Sequence, residues 1–347
     1  MRASSALQGD CDTGKEGVWS NDFYNPARLA FFDRWLKRQP RLDEIEPVSV
    51  FVMGTGIGGL TDTGNLNHGG KWRYANDWPI GPIRQKKLYF NSDGIFDDEI
   101  HKNSIDKLSY TFDPNDPVPT IGGPIVGMFE ILKPNEGGPS LDFVPEHLDQ
   151  WSFLKNYIRE VLPAGGFHQK ESNQSFLSSK SDKLLKDRKD VVTFETKPLS
   201  KKIEIIGVIK IELYVASEAL DTDFTFKLID VYPPFENYTE GYHLNLTDTI
   251  FRMRYRYGYD KEVMMKKNEI YKINLDLWPV ANVFKKGHKL RIDISSSNFP
   301  RFDINPNTGE PVGRHSKMLP TKNSIFMSKN YPSNINVPIL NNSICKQ

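Results

Sequence analysis

Ile203-Glu-Ile-Ile-Gly-Val-Ile-Lys-Ile-Glu-Leu-Tyr-Val-Ala-Ser217 places Ile203, Ile205, Ile209, Ile211, Leu213 and Val215 at odd positions, with Glu204, Lys210 and Glu212 between them. Successive side chains of a strand point to opposite faces, so this period of two predicts one long strand with an apolar and a polar side. The same period extends outward. Phe224, Phe226 and Leu228 follow it, then Phe251, Met253, Tyr255 and Tyr257 against Arg252, Arg254 and Arg256. Tyr271, Ile273, Leu275 and Leu277, and finally Leu290, Ile292 and Ile294, carry it on, and upstream Val48, Val50 and Val52 alternate with Ser49, Phe51 and Met53. Strands that follow strands without a helical period between them predict a mostly β chain, an antiparallel jelly-roll β-sandwich rather than a doubly wound sheet.

Two segments depart from that pattern. Asn25 to Lys37 reads as a helix, with Asn25 as its cap, Pro26 in its first turn, and Leu29, Phe32, Trp35 and Leu36 along one face that Phe31 widens. Pro40 ends it, and residues 38 to 47 read as a linker. Between Gly127 and Lys189 the β period lapses. Leu148, Trp151, Leu154, Ile158 and Val161 outline an amphipathic helix after Pro145, and Gly165 to Lys189, rich in Ser, Lys and Asp, reads as a mobile surface loop. The expected organisation is therefore a segment 1–45 carrying the aromatic helix and a sandwich over 46–347 with a helical insertion at about 127–186.

Composition narrows the function classes. With 38% hydrophobic residues in 347 the chain can bury a large core, and a net charge of +1 offers no global field for nucleic acid or an anionic membrane. Two cysteines, Cys11 and Cys345, exclude a disulfide framework, and nothing in their spacing suggests zinc. No apolar run approaches the roughly 20 residues of a membrane helix. The first 20 residues lack the pattern of a secretory signal, which leaves the cytoplasm as the default compartment. On that ground Asn173, Asn237, Asn245 and Asn341, each in an acceptor tripeptide, are expected to carry no glycan.

Candidate chemistry is sparse. Asp221 and Asp223 share a strand face and would suit a cation, although a Thr-flanked Asp pair at a strand entrance more commonly satisfies turn backbone. His68, in Asn67-His-Gly-Gly70, is expected to be solvated, and Gly54-x-Gly56-x-Gly58 to be a flexible loop rather than a dinucleotide fingerprint. Strand alternation is expected to place Arg252, Arg254 and Arg256 on an outer face. Arg301 and Asp303 stand beside Phe299, Pro300 and Phe302, a setting that predicts a paired, partly buried couple or an interdomain contact. No cofactor or metal is called for.

Several phrases, in order, resemble one family. Phe31-Phe-Asp-Arg-Trp-Leu-Lys37 resembles the last helix of the α/β-hydrolase domain in the cocaine esterase and X-prolyl dipeptidyl-peptidase (CocE/NonD) family of serine hydrolases. Pro47-Val-Ser-Val-Phe-Val-Met-Gly54 with Asn76-Asp-Trp-Pro79 is similar to the entry into that family's carboxy-terminal, galactose-binding-like jelly roll. Asp116-Pro-Val-Pro-Thr-Ile-Gly-Gly123, Lys189 to Thr196, Asp221 to Pro233, Leu275-Asp-Leu-Trp-Pro279 and Ser295 to Asp303 follow in the family's order. The resemblance implies a hydrolase of esters, amides or X-prolyl dipeptides, which needs a Ser on a G-x-S-x-G elbow, an acid and a His, all before the helix at Phe31. This sequence holds no G-x-S-x-G. Its first His is His68, and Gln8-Gly9 stands where the family's His-Gly phrase would be. Gln has no titratable group to take up and return a proton at neutral pH.

The expectation is thus a non-catalytic jelly-roll part of such an enzyme, inactive alone. Its partner would be an α/β-hydrolase domain in cis, against which Phe31, Phe32, Trp35, Arg301 and Asp303 are the candidate contacts. Left alone, the exposed helix would favour a homo-oligomer. Two alternatives stay open: an autonomous sandwich that binds, for example, carbohydrate, and one half of a split hydrolase acting in trans.

Overall fold

The computed structural model describes residues 6–18, 21–39, 46–101, 107–124, 128–131, 158–172, 182–236 and 238–341. Two sheets face each other across one core. The smaller has four antiparallel strands in the order Val192–Glu195, Lys289–Ser295, Asp223–Val231, His243–Arg252. The larger has eleven, its main path running Gly70–Ala75, Val48–Met53, Val280–Phe284, Ile203–Gly207, Asn334–Leu340, Lys210–Ser217, Thr321–Phe326, Lys107–Phe112. Tyr271–Asp276, Ile83–Phe90 and Phe96–Asp97 join it off that path.

The period of two fills the space between the sheets. Phe224, Phe226, Leu228, Leu290, Ile292 and Ile294 project from the small sheet onto Ile205, Ile211, Leu213, Val215, Ile273 and Ile335 of the large one. Alternation thus has the energetic consequence the sequence predicts. Each such side chain withdrawn from water contributes roughly 1.5–3 kcal/mol.

Several expectations change in detail. The long strand from Ile203 is two strands, broken after Gly207, whose φ of 123° suits glycine. Asn334–Leu340 lies between them and pairs with both. The strand carrying Phe251 ends at Arg252, and Met253–Tyr255 form a 3-10 turn, so Met253, Tyr255 and Tyr257 do not continue the ladder. Met128–Ile131 pairs antiparallel with Ile158–Leu162. Ile158 and Val161, expected on a helix, are therefore in a strand, while Leu148, Trp151 and Leu154 lie outside the described residues.

The expected surface loop is packed where it is described. Gln169, Glu171, Leu184 and Leu185 are buried, because residues 165–172 and 182–191 lie over the small sheet. Residues 173–181 lie outside the described residues.

At the amino-terminal end, Leu7–Gln8 pairs with Cys11–Asp12, which runs parallel to Leu66–Asn67. Cys11 is buried in a cluster with Leu66, Tyr232, Tyr242 and Leu244. Residues 6–18 are thus built onto the sandwich. The helix spans Asn21–Lys37, one turn longer at its start than expected, with Pro26 inside it.

Phe226 is fully buried and pairs across Ile294 and Thr249. Phe226→Ala is expected to lower unfolding free energy by about 3–5 kcal/mol in urea titration, against less than about 0.5 kcal/mol for the exposed Lys322→Ala.

Candidate functional site

The outer face of the small sheet carries a buried layer of charge. Alternation turns Thr225, Lys227, Asp248, Arg291, Asp293 and Ser295 away from the core, and all are buried beneath covering segments. Lys227 Nζ donates to Gln169 Oε1 at 3.0 Å. Burial pushes its pKa down to about 8, against the pull of Asp248 and Asp293. Arg188 ties the cover together. It chelates Asp190 through Nε and Nη2 at 2.8 and 2.9 Å and donates to Glu171 Oε1 at 3.2 Å and to the Asp116 carbonyl at 2.8 Å.

Two of the phrases singled out in the sequence meet at one end of this layer. Thr120 N donates to the Phe299 carbonyl, Phe299 N to the Val118 carbonyl, and Arg301 N to Thr120 Oγ1, at 2.7, 3.0 and 3.2 Å. Arg301 does not pair with Asp303. Its Nη1 lies 2.8 Å from Asp248 Oδ1, while Asp248 Oδ2 accepts from Asn298 Nδ2. Asp303 is exposed, and its backbone carbonyl accepts from Arg252 Nη2 at 3.0 Å. Burial raises the Asp248 carboxyl, opposed by Arg301 and Lys227, and lowers the Arg301 guanidinium, opposed by Asp248.

A glycine junction borders this pair. Gly123 and Gly165 exchange backbone hydrogen bonds of 2.8 and 3.0 Å, and Gly166 N donates to the Gln8 carbonyl at 3.1 Å. Gly123 has φ 132°, and a Cβ on it would stand 2.9 Å from Arg301 Nη1. A Cβ on Gly165 would stand 2.3 Å from Gly9 N. Gln8, Gly165, Gly123 and Arg301 therefore form one continuous junction, in which Gly123 is buried.

The remaining candidates resolve into structure. Asp221 accepts from Arg254 N and Nε at 2.8 and 2.7 Å, Asp223 takes Arg252 side-on, and Asn305 Nδ2 bridges the two carboxylates. Arg254 is buried rather than on an outer face, because Asp221 needs a charged partner inside the protein. Arg256 stacks between Tyr257 and Tyr271. His68, expected in solvent, is buried with Nδ1 2.5 Å from Tyr232 OH, and burial pushes its pKa down to about 4. The Gly54 loop is not slack: Gly54, Gly56 and Gly58 donate to the carbonyls of Gly69, His68 and Asn67. Asn245, one of the acceptor-tripeptide asparagines, is buried with Oδ1 accepting from Phe167 N. Phe31, Phe32 and Trp35 are 51%, 48% and 68% exposed. Among the described residues, no group of three His, Cys, Asp or Glu is arranged to hold a metal, and no helix is long and apolar enough to cross a membrane.

Lys227, Arg291, Asp293 and Arg188 were not expected to be central. Lys227, Arg291 and Asp293, at strand positions alternating with core residues, read as a solvated face until a cover is known, and Arg188 follows a 3-10 turn in a segment that reads as a loop.

The sandwich, its cover and the ordered phrases agree with one family across most of the chain, and residues 41–336 match the X-Pro dipeptidyl-peptidase C-terminal non-catalytic domain. The chain belongs to that family. Cocaine esterase of Rhodococcus sp. (strain MB1 Bresler) is 29% identical over 322 residues, which are 90% of this chain and 45% of that protein. An α-amino acid ester hydrolase superposes with a TM-score of 0.65 at 22% identity, covering 96% of this chain and 47% of its own. An aminopeptidase from the marine sediment archaeon Thaumarchaeota archaeon gives 0.63 at 22% identity, covering 94% and 45%. These likenesses establish the shared fold. The chain spans about half the length of the relatives it matches.

His68 offers a test of the buried surroundings. In unfolded chain a histidine binds its proton near pH 6.5, while in the folded chain this one does so at about 4. Its contribution to stability is complete above pH 6.5 and is lost as pH falls toward 4, because the unfolded state takes the proton first. Between pH 7.5 and 5, urea titrations should show the His68→Asn variant losing less stability than the unaltered chain, by on the order of 2 kcal/mol. Equal slopes would show that His68 binds its proton as readily in the fold as in the unfolded chain.

Proposed function

We propose that the chain is the jelly-roll part of a CocE/NonD-type serine hydrolase of esters, amides or X-prolyl peptides, and that it packs on the catalytic α/β-hydrolase domain and walls its substrate cleft. The observation that carries this reading is the helix Asn21–Lys37. Leu29, Phe31, Phe32, Trp35 and Leu36 expose 52%, 51%, 48%, 68% and 76% of their surface, yet Ala30 and Asp33 on the same helix are buried. An isolated sandwich has no use for such a face, and a larger hydrolase supplies its cover. Residues 6–18 belong with the sandwich by their pairing, so the element proposed to join the catalytic domain is the helix rather than all of 1–45.

The glycine junction supports the second half of the reading. Gln8 occupies the place of the family's His-Gly phrase and is held by Gly166, one residue from the Gly165–Gly123 pair. The rim of Gly122, Gly123 and Arg301 would then border the hydrolytic centre. Arg301, locked to Asp248, holds that rim in place without touching substrate.

The chain by itself carries no Ser elbow, and its Gln8 cannot act as the general base. It should neither hydrolyse p-nitrophenyl butyrate or prolyl dipeptide anilides nor become labelled by a fluorophosphonate probe. Stoichiometric labelling would overturn the non-catalytic assignment. Replacing Phe31, Phe32, Trp35 and Leu36 together by Ser should abolish self-association in light scattering and leave the sandwich's urea transition unchanged within about 0.5 kcal/mol. A large loss of stability would instead make the helix part of an autonomous module's core.

A further inference from the structure

The two sheets are unequal, and at one end the larger overhangs. Along Ile83–Phe90 the period of two points Arg84, Lys86, Leu88 and Phe90 to the same side. Leu88 and Phe90 join the core, whereas Arg84 and Lys86 continue that inner face past the last strand of the small sheet. The connection 196–202, between Val192–Glu195 and Ile203–Gly207, forms the facing lip. Between them lies a cleft of about 770 Å³, within the size range of small-molecule sites.

Its floor is apolar, formed by the buried Leu88, Phe96, Leu290 and Val337, and Leu199 and Ile339 line its sides half-buried. The mouth is charged and unbalanced. Each carboxylate at the cleft is already engaged: Asp97 with His101 and Lys197, Asp98 with Lys86 at 3.0 Å, Glu204 with Arg73 at 2.8 Å. Arg84, Lys201 and Lys202 also line it, and among the described residues they have no carboxylate partner. Inward charges at a sheet edge can serve merely to discourage strand pairing. That role does not require an apolar floor beneath three cations that have no carboxylate partner among the described residues.

We propose that this cleft binds a single-chain aliphatic carboxylate, its hydrocarbon against Leu199, Ile339 and the floor, and its headgroup at Arg84 and the Lys201–Lys202 pair. The site is independent of the catalytic-domain reading. The cleft opens beside Leu290 and the connection that follows Val192–Glu195, the edge strand on one side of the small sheet, whereas Arg301 and Gly123 lie against Asp248 of His243–Arg252, the edge strand on the other side.

Isothermal titration of the full chain with sodium dodecanoate, kept below micelle formation, tests this. One saturable site is expected with Kd on the order of 0.1 mM, from the affinity per atom of ordinary small ligands. Decanoate should bind about tenfold more weakly for its two lost methylenes. Dodecyltrimethylammonium, with the same chain and the opposite charge, should not compete. Arg84→Glu and the double variant Lys201→Glu/Lys202→Glu should each weaken dodecanoate at least about tenfold. Thermal melts matching the unaltered chain would show that both variants remain folded. No saturable binding below 5 mM, equal binding of the cationic amphiphile, or full affinity in the folded charge-reversal variants would each overturn the proposal.

Discussion

Nine consecutive residues, Asp223 to Val231, are buried, although the strand alternates apolar and polar side chains. An interior strand of a sandwich normally has one wet face, and its polar residues need nothing from the protein. Here that face is dry, and an ionised side chain withdrawn from water costs several kcal/mol unless it is paired and hydrogen-bonded. Each polar residue of the strand accordingly has named partners. Asp223 has Arg252 and Asn305, Thr225 has Ser295 and Ser297, Lys227 has Gln169 between two aspartates, and Asp230 has His288 and Asn282.

That constraint places the rest of the outer layer. Gln169 reaches Lys227 because its own Nε2 is held by the Ile121 and Phe167 carbonyls, which fixes segments 116–124 and 165–172 together. Arg188 then pins the third covering segment to the first two through Asp116 and Glu171. The strap of residues 118–120 lies against 297–301 through backbone hydrogen bonds between Thr120 and Phe299 and between Phe299 and Val118, joined by the hydroxyls of Ser297 and Thr120, which accept from Val118 N and Arg301 N. Such a network raises the cost of any half-satisfied state, so the cover is held as a unit.

The two halves of this architecture differ in how they are written in the sequence. The core face was legible, since Phe224, Phe226, Leu228, Leu290, Ile292 and Ile294 sit at a spacing that only a strand accommodates. The covered face was not, because Lys227 and Asp293 between those residues look the same whether water or Gln169 lies above them. Burial of His68 and Arg254 was missed for the same reason: the deciding groups, Tyr232 and Asp221, are distant in sequence, 164 residues from His68 and 33 from Arg254. The Arg301–Asp303 pair was expected from the aromatic residues beside the two charges. Asp248 won instead because the register of its strand sets it inside, beside Asn298, where an unpaired carboxylate could not remain charged. The aromatic helix was recognised from its spacing and from its likeness to a family helix. Its exposure could not be read locally, since an apolar stripe says that a cover exists and not which polypeptide supplies it.

The charged layer and the aromatic helix place opposite demands on a partner. The charged layer asks for none: it is buried, and its carboxylates and cations are paired inside the chain. The helix leaves five large side chains at least about half in water, an apolar face that a cover would remove from solvent. A domain whose polar interior closes on itself while its aromatic helix stays uncovered can keep its fold whether or not the partner is attached. Docking a catalytic domain would then cost no rearrangement of the charged layer, and the gain from covering the helix would go into association.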